Sequence, residues 1–177
     1  MTKLERLAVC ALGSLLVCAG FLGAMAPPAL AGDHVPTATE VLSSLPERGD
    51  EVTLRGNPVT LLGTPAKVGQ AAPDFVAVAQ DMSEKTLADY EGKVVVLAAV
   101  PSLNTGVCSL QTKTFNEKAS ALGDDVAVVT VSMDLPFAQK RWCGAEGVER
   151  VETLSDYRHW SVGLAYGLKI NESGLLA

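Results

Sequence analysis

The sequence predicts an α/β fold built on a parallel sheet, and three observations predict it. "KVVVLAAV" (93–100) and "DVAVVTVSM" (125–133) are continuous β-branched and apolar runs, the pattern of strands buried on both faces. Between them, "TGVCSLQTKTFNEKASALGDD" carries apolar residues at 107, 110, 115, 119 and 122, a roughly helical spacing. Strand, helix and strand joined by short connections make a βαβ unit, which requires parallel strands. A chain of 177 residues with 48% hydrophobic content can enclose one core and still carry an appendage.

The appendage is N-terminal. Residues 1–31 open with Lys3 and Arg6, run apolar from Leu7 to Ala26, turn at Pro27 and Pro28, and end in the small-x-small pattern Ala29-Leu30-Ala31. These are the three parts of a secretory signal peptide. The apolar run also has bilayer-spanning length, so an uncleaved anchor is the alternative, and only then would the protein touch a membrane. The expected location is therefore outside the cytoplasm, in the periplasm or cell envelope. Residues 32–50 mix proline, small polar residues and charge without a period and read as a linker.

From residue 51 to 177 the pattern is that of one domain. "EVTLRGNPVTLLG" predicts an N-terminal β-hairpin turning at Gly56-Asn57, and "DFVAVAQ" (74–80) a further strand. "MSEKTLADYEG" predicts a helical turn closed by Gly92. The helix after the first long strand should stop at Gly123, a residue suited to a C-terminal cap. "PFAQKRWCGAEG" (136–147) predicts a helix with Pro136 in its first turn, Asp134 as candidate cap, and Phe137 and Trp142 as its packing face. "VETLSD" (151–156) predicts a short strand and "YRHWSVGLAYG" (157–167) a helix ending at Gly167.

Composition excludes several functions. The net charge is −6, and residues 1–31 contribute +1 of it, so the remainder is more acidic still. Nucleic acid is not an expected partner of such a surface. The two histidines, His34 and His159, lie far apart, and the sequence has no CxxC and no HExxH, so no metal and no cofactor is expected. A Cys108–His159 hydrolytic pair rests on nothing beyond the presence of both residues, and His159 reads as a surface residue. With Cys10 and Cys18 inside the signal, Cys108 and Cys143 remain as an even pair in a disulfide-permissive compartment.

Cys108 stands in "PSLNTGVCSL", directly after a buried strand. Ligand sites of open α/β sheets collect at such strand ends. If Thr105 caps the following helix, Cys108 is its third residue, close to unpaired backbone N–H groups and the positive end of the helix dipole. Both favour thiolate over thiol, and positions of this kind lower a cysteine pKa by about one unit or more. A lone cysteine after a strand is more often packing. Two features favour chemistry: Pro101, Thr105 and Gly106 shape a loop, and Cys143 follows 35 residues on, at what reads as a similar βα position. Cys143 is then either a core residue or a thiol that closes a disulfide with an oxidised Cys108. Arg141 beside it reads as a solvated flank.

"PSLNTGVC" fits P-x-x-x-T-x-x-C, and with "RGNPVTL" before it and "DLPFAQKRWCGAEG" after it the chain closely resembles the peroxiredoxins, in particular the bacterial thiol peroxidase subfamily with two cysteines. The resemblance covers residues 51–177 and implies a thioredoxin-like fold. It implies reduction of hydrogen peroxide and organic hydroperoxides by Cys108 as peroxidatic thiol, with Thr105 orienting the peroxide and Pro101 shielding the sulfur. It also implies a Cys108–Cys143 disulfide with Cys143 resolving, recycling by a thioredoxin-type reductant, and a homodimer. Asn104 departs from the subfamily's usual aspartate. The family further uses an arginine on a strand that follows a "GLLA"-like segment, and the sequence ends at Ala177 before such a strand. The expectation is a domain whose C-terminal part is missing, since Arg55, Arg141 and Arg158 lie elsewhere. Two other functions compete. One is a catalytically impaired fragment or binding module of the same fold. The other is a thiol–disulfide oxidoreductase, which would want a cysteine where Thr105 stands.

Overall fold

The computed structural model describes residues 37–177. The signal peptide read at 1–31, with Cys10 and Cys18, lies outside the described residues. No described helix is long and apolar enough to cross a membrane.

The segment read as a linker holds structure in its second half. Thr37 caps α1 (Ala38–Ser43), accepting from the Glu40 N–H while the Glu40 carboxylate accepts from the Thr37 N–H. The threonine-to-glutamate spacing of this capping box was the signal in the sequence. β1 (Glu47–Leu54) and β2 (Asn57–Leu62) then form the expected hairpin, which begins earlier than Glu51. Its turn is Arg55-Gly56, both at positive φ, rather than Gly56-Asn57. The shift follows from pairing: Leu54 faces Asn57, leaving a two-residue loop of left-handed residues.

Most of the remaining elements fall where periodicity places them, with shorter ends. β3 (Val76–Val78) is followed by β4 (Glu84–Thr86) and a 3-10 helix (Leu87–Tyr90), so the expected helical turn begins as a strand. β5 (Val94–Ala99), α2 (Gly106–Ala119) and β6 (Val126–Ser132) form the predicted βαβ unit, with β5 parallel to β6 in register Val94 to Val126. α3 (Pro136–Glu146), β7 (Glu152–Ser155), α4 (Ser161–Ala165) and β8 (Lys169–Ile170) complete the chain. The main sheet has the order β4-β3-β7-β6-β5, with β7 parallel to β6 and β3 antiparallel to β7. β8 joins the hairpin as a third strand, and the Arg48 guanidinium bonds the Gly63 and Gly167 carbonyls.

Alternation along β6 separates two apolar layers. Val129 and Val131 face a cluster with Phe75, Ala77, Leu154 and Val162. Val128 faces the other, made of Val100, Leu103, Cys108, Trp142, Cys143 and Val151 beneath α2 and α3. Among the described residues β5 is an edge strand, with Val94 and Val96 exposed.

Several local expectations are corrected. α2 ends at Ala119 with Ser120 as its cap, short of Gly123. Its buried positions are Cys108 and Thr112, with Phe115 and Ala119 packed behind them, whereas Val107 and Leu110 face solvent. Leu135, not Asp134, is the N-cap of α3, and Phe137 is 66% exposed while Trp142 is buried. α4 covers only part of the predicted 157–167 helix because Trp160 adopts a left-handed conformation at its start. His159 lies in the preceding turn, 3.1 Å from Glu84, with Arg158 bonding the same carboxylate.

Candidate active site

The strand end after β5 delivers the site. Thr105 is the N-cap of α2 by backbone conformation, which makes Cys108 the third helical residue as predicted. The cap has no side-chain bond to the helix; the Thr105 hydroxyl instead donates to the Ser102 carbonyl at 3.1 Å. That bond folds the Pro101–Thr105 loop back on itself and leaves the first N–H groups of α2 without a side-chain partner from Thr105.

Asp134 holds the loop from outside. Its Oδ1 accepts from the Ser102 hydroxyl at 2.7 Å, and its Oδ2 from the Leu103 N–H at 2.7 Å and the Ser132 hydroxyl at 2.8 Å. The role was missed in the sequence, where Asp134 next to Pro136 read as a cap. Its loop partners Ser102 and Leu103 lie about thirty residues away, a distance that no local pattern reports.

A cavity of about 920 Å³ opens over this loop. Pro101, Thr105, Val107 and Cys108 line one side, and Leu54, Arg55 and Pro58 of the hairpin line the other. Cys108 is buried, only 9% exposed, so its sulfur is approached through this apolar space. Arg55, which the sequence placed elsewhere, is a cation on the cavity wall.

Cys143 occupies the later half of α3, not a βα junction like that of Cys108. It is buried in the same apolar cluster as Cys108, and both thiols are free. Its sulfur accepts from Gln80 Nε2 at 3.3 Å and lies 3.6 Å from Thr153 Oγ1. Burial pushes the Cys143 thiol above the usual cysteine range, and these two bonds oppose that shift. The helix start and cavity wall thus belong to Cys108 alone. Arg141 is exposed, as its solvated-flank reading expected.

Thr112 Oγ1, Thr130 Oγ1 and Gln139 Oε1 are buried without hydrogen-bond partners. Thr112 sits one turn beyond Cys108, Gln139 one turn before Cys143, and Thr130 on the strand beneath the two helices.

A parallel-centred sheet with a buried thiol at a helix start defines a thioredoxin-like thiol protein. The redoxin family pattern matches residues 67–177. A thiol peroxidase of Bacillus subtilis is 55% identical over 127 residues, 72% of this chain and 75% of that protein. A thiol peroxidase of Oceanobacillus iheyensis is 56% identical over 111 residues, 63% of this chain and 67% of that protein. Among solved structures, a peroxiredoxin-like protein from Aquifex aeolicus superposes with a TM-score of 0.66 at 45% identity, covering 71% of this chain and 74% of that one. The chain belongs to the redoxin family, as a peroxiredoxin of the bacterial thiol peroxidase subfamily, and is a thiol-dependent peroxidase.

Proposed function

We propose that Cys108 is the peroxidatic thiol and Cys143 the resolving one, in the reduction of hydrogen peroxide and organic hydroperoxides. The observation that carries this reading is the position of Cys108: third residue of α2, on the wall of an apolar cavity beside Pro101 and Thr105. The Cys108 thiolate attacks one peroxide oxygen, an S–O bond forms and the O–O bond breaks. The other oxygen takes a proton and leaves as water or alcohol; the thiol is oxidised to a sulfenic acid and the peroxide is reduced. Thr105 and the cavity wall orient the peroxide, and Pro101 limits access of a second one.

The Cys143 thiolate then attacks the Cys108 sulfur. An S–S bond forms, the S–O bond breaks, and the departing hydroxide takes a proton to leave as water. A thioredoxin-type dithiol returns both cysteines to thiols and is itself oxidised. Both thiols are free, and a disulfide needs Cα atoms within about 7 Å, so closure draws α2 and α3 together locally. The three unpartnered atoms of Thr112, Thr130 and Gln139 support that step. Each costs about 1–3 kcal/mol while buried, and opening the layer between the helices lets water satisfy them.

Exposed Val107, Leu110, Leu135 and Phe137 at the starts of α2 and α3 support a homodimer. The charged, apolar and small-residue segments of 1–31 support export to the periplasm or cell envelope.

The test is peroxide treatment of the wild type, Cys108→Ser and Cys143→Ser, followed by mass spectrometry and reductant-coupled turnover. The expected results are an intrachain disulfide in the wild type, no turnover in Cys108→Ser, and sulfenic then sulfinic acid at Cys108 in Cys143→Ser. Turnover of Cys143→Ser at the wild-type rate would remove Cys143 from the mechanism.

A further inference from the structure

One polar cluster touches Cys143 from the face of the sheet beneath α3. Gln80 Nε2 donates to Cys143 Sγ at 3.3 Å and to Thr153 Oγ1 at 2.8 Å, and Thr153 Oγ1 is 3.6 Å from the same sulfur. The triangle is a product of strand register. β3 and β7 are antiparallel with Val78 opposite Ser155, and Gln80, in the turn just after β3, reaches across to Thr153 of β7. α3 packs on β7 and presents Cys143 to the pair.

We propose that Gln80 and Thr153 are positioning residues for the resolving thiol, holding the Cys143 sulfur in place and stabilising its negative charge as it forms to attack the oxidised Cys108. The proposal rests on the assignment of Cys143 as resolver. A count of hydrogens supports it. The Gln80 amide has two N–H groups, one for the sulfur and one for the Thr153 hydroxyl. Having accepted from Gln80, that hydroxyl keeps its own hydrogen free to point at the sulfur. A thiolate accepts both donors, whereas a thiol brings a hydrogen of its own and offers only a weak acceptor. The two bonds also work against the desolvation that raises this thiol.

The charged groups near the triangle are committed elsewhere. Gln80 and Thr153 border a small recess shared with Asp81, Lys85 and Glu152. Asp81 accepts from Ser83, Lys85 pairs with Asp89, and Glu152 accepts from the Tyr90 hydroxyl. A charge forming on the sulfur is thus stabilised by neutral donors, and these can be removed without removing a countercharge.

Gln80→Met and Thr153→Val keep the shape and delete the donors; Thr153→Ser keeps the hydroxyl. In a Cys108→Ser background, thiolate ultraviolet absorbance reads the Cys143 titration. Its midpoint should move upward in Gln80→Met and Thr153→Val and return toward the parent in Thr153→Ser. With Cys108 present, single-turnover oxidation should form the sulfenic acid at the parent rate, while disulfide closure slows about tenfold for each lost donor. An unmoved titration, or a Thr153→Ser as slow as Thr153→Val, would overturn the positioning role. If Cys143→Ser itself still cycles, the resolver assignment fails; if Cys143→Ser stalls but both donor-less variants close at the parent rate, only the Gln80–Thr153 assignment fails.

Discussion

Removing the Asp134 carboxylate tests whether the loop before α2 is held from β6. Asp134→Ala deletes three hydrogen bonds, to the Ser102 hydroxyl, the Leu103 N–H and the Ser132 hydroxyl. Bonds to a charged group contribute about 1.5–3 kcal/mol each, but the three do not simply add. The Ser132 hydroxyl still accepts from Gln139 at 3.0 Å, and Ser102 is only half-buried and can bond water. The Leu103 N–H is the costly loss, because Leu103 is 1% exposed and its donor is left unpaired. The net expectation is a destabilisation of about 2–4 kcal/mol, dominated by one unsatisfied buried N–H. Ser102→Ala removes a single bond and should cost about 1 kcal/mol. Urea unfolding of the reduced proteins reads the stabilities, and stopped-flow peroxide oxidation reads the effect on Cys108. Because the loop carries Pro101 and Thr105, Asp134→Ala should also slow Cys108 oxidation at denaturant concentrations where it remains folded. Stability within about 0.5 kcal/mol of the wild type, with unchanged oxidation, would refute the reasoning.

Thr130→Val replaces an unpartnered buried hydroxyl with a methyl group; it should stabilise the reduced protein by about 1 kcal/mol and slow disulfide closure, read by urea unfolding and by mass spectrometry of quenched samples. Gly63→Ala should cost about 3 kcal/mol or more, because φ is +94° and the new Cβ would lie 2.6 Å from the Leu164 carbonyl oxygen; thermal unfolding checks it. Alkylation near neutral pH should label Cys108 ahead of Cys143. Burial raises the Cys143 thiol, so its thiolate forms only as pH climbs past the ordinary cysteine value, and the preference for Cys108 should narrow as pH rises. The same raised thiol makes the folded state retain a proton that the unfolded state releases, so its contribution lowers stability as pH rises through that window.

What the sequence determined by itself is local. The apolar runs at 93–100 and 125–133 form parallel strands joined by a helix as predicted, but only β6 is buried on both faces; β5 is an edge strand among the described residues, with Val94 and Val96 exposed. Thr105 ahead of Gly106 places Cys108 at a helix start, since capping depends on a few consecutive residues. Tertiary structure decided the rest because the partners are distant in sequence. Val107 and Leu110 are as apolar as any core residue, yet packing against β6 turns the Cys108 and Thr112 face inward and leaves them in solvent. Asp134 had a locally plausible role as a cap and took another, because the folded loop offered the Leu103 N–H and the Ser102 hydroxyl. Gln80 and Thr153 carry no motif at all. They meet Cys143 only because the antiparallel pairing of β3 with β7 brings the turn after β3 over Thr153 under α3, and that pairing is set by the whole sheet.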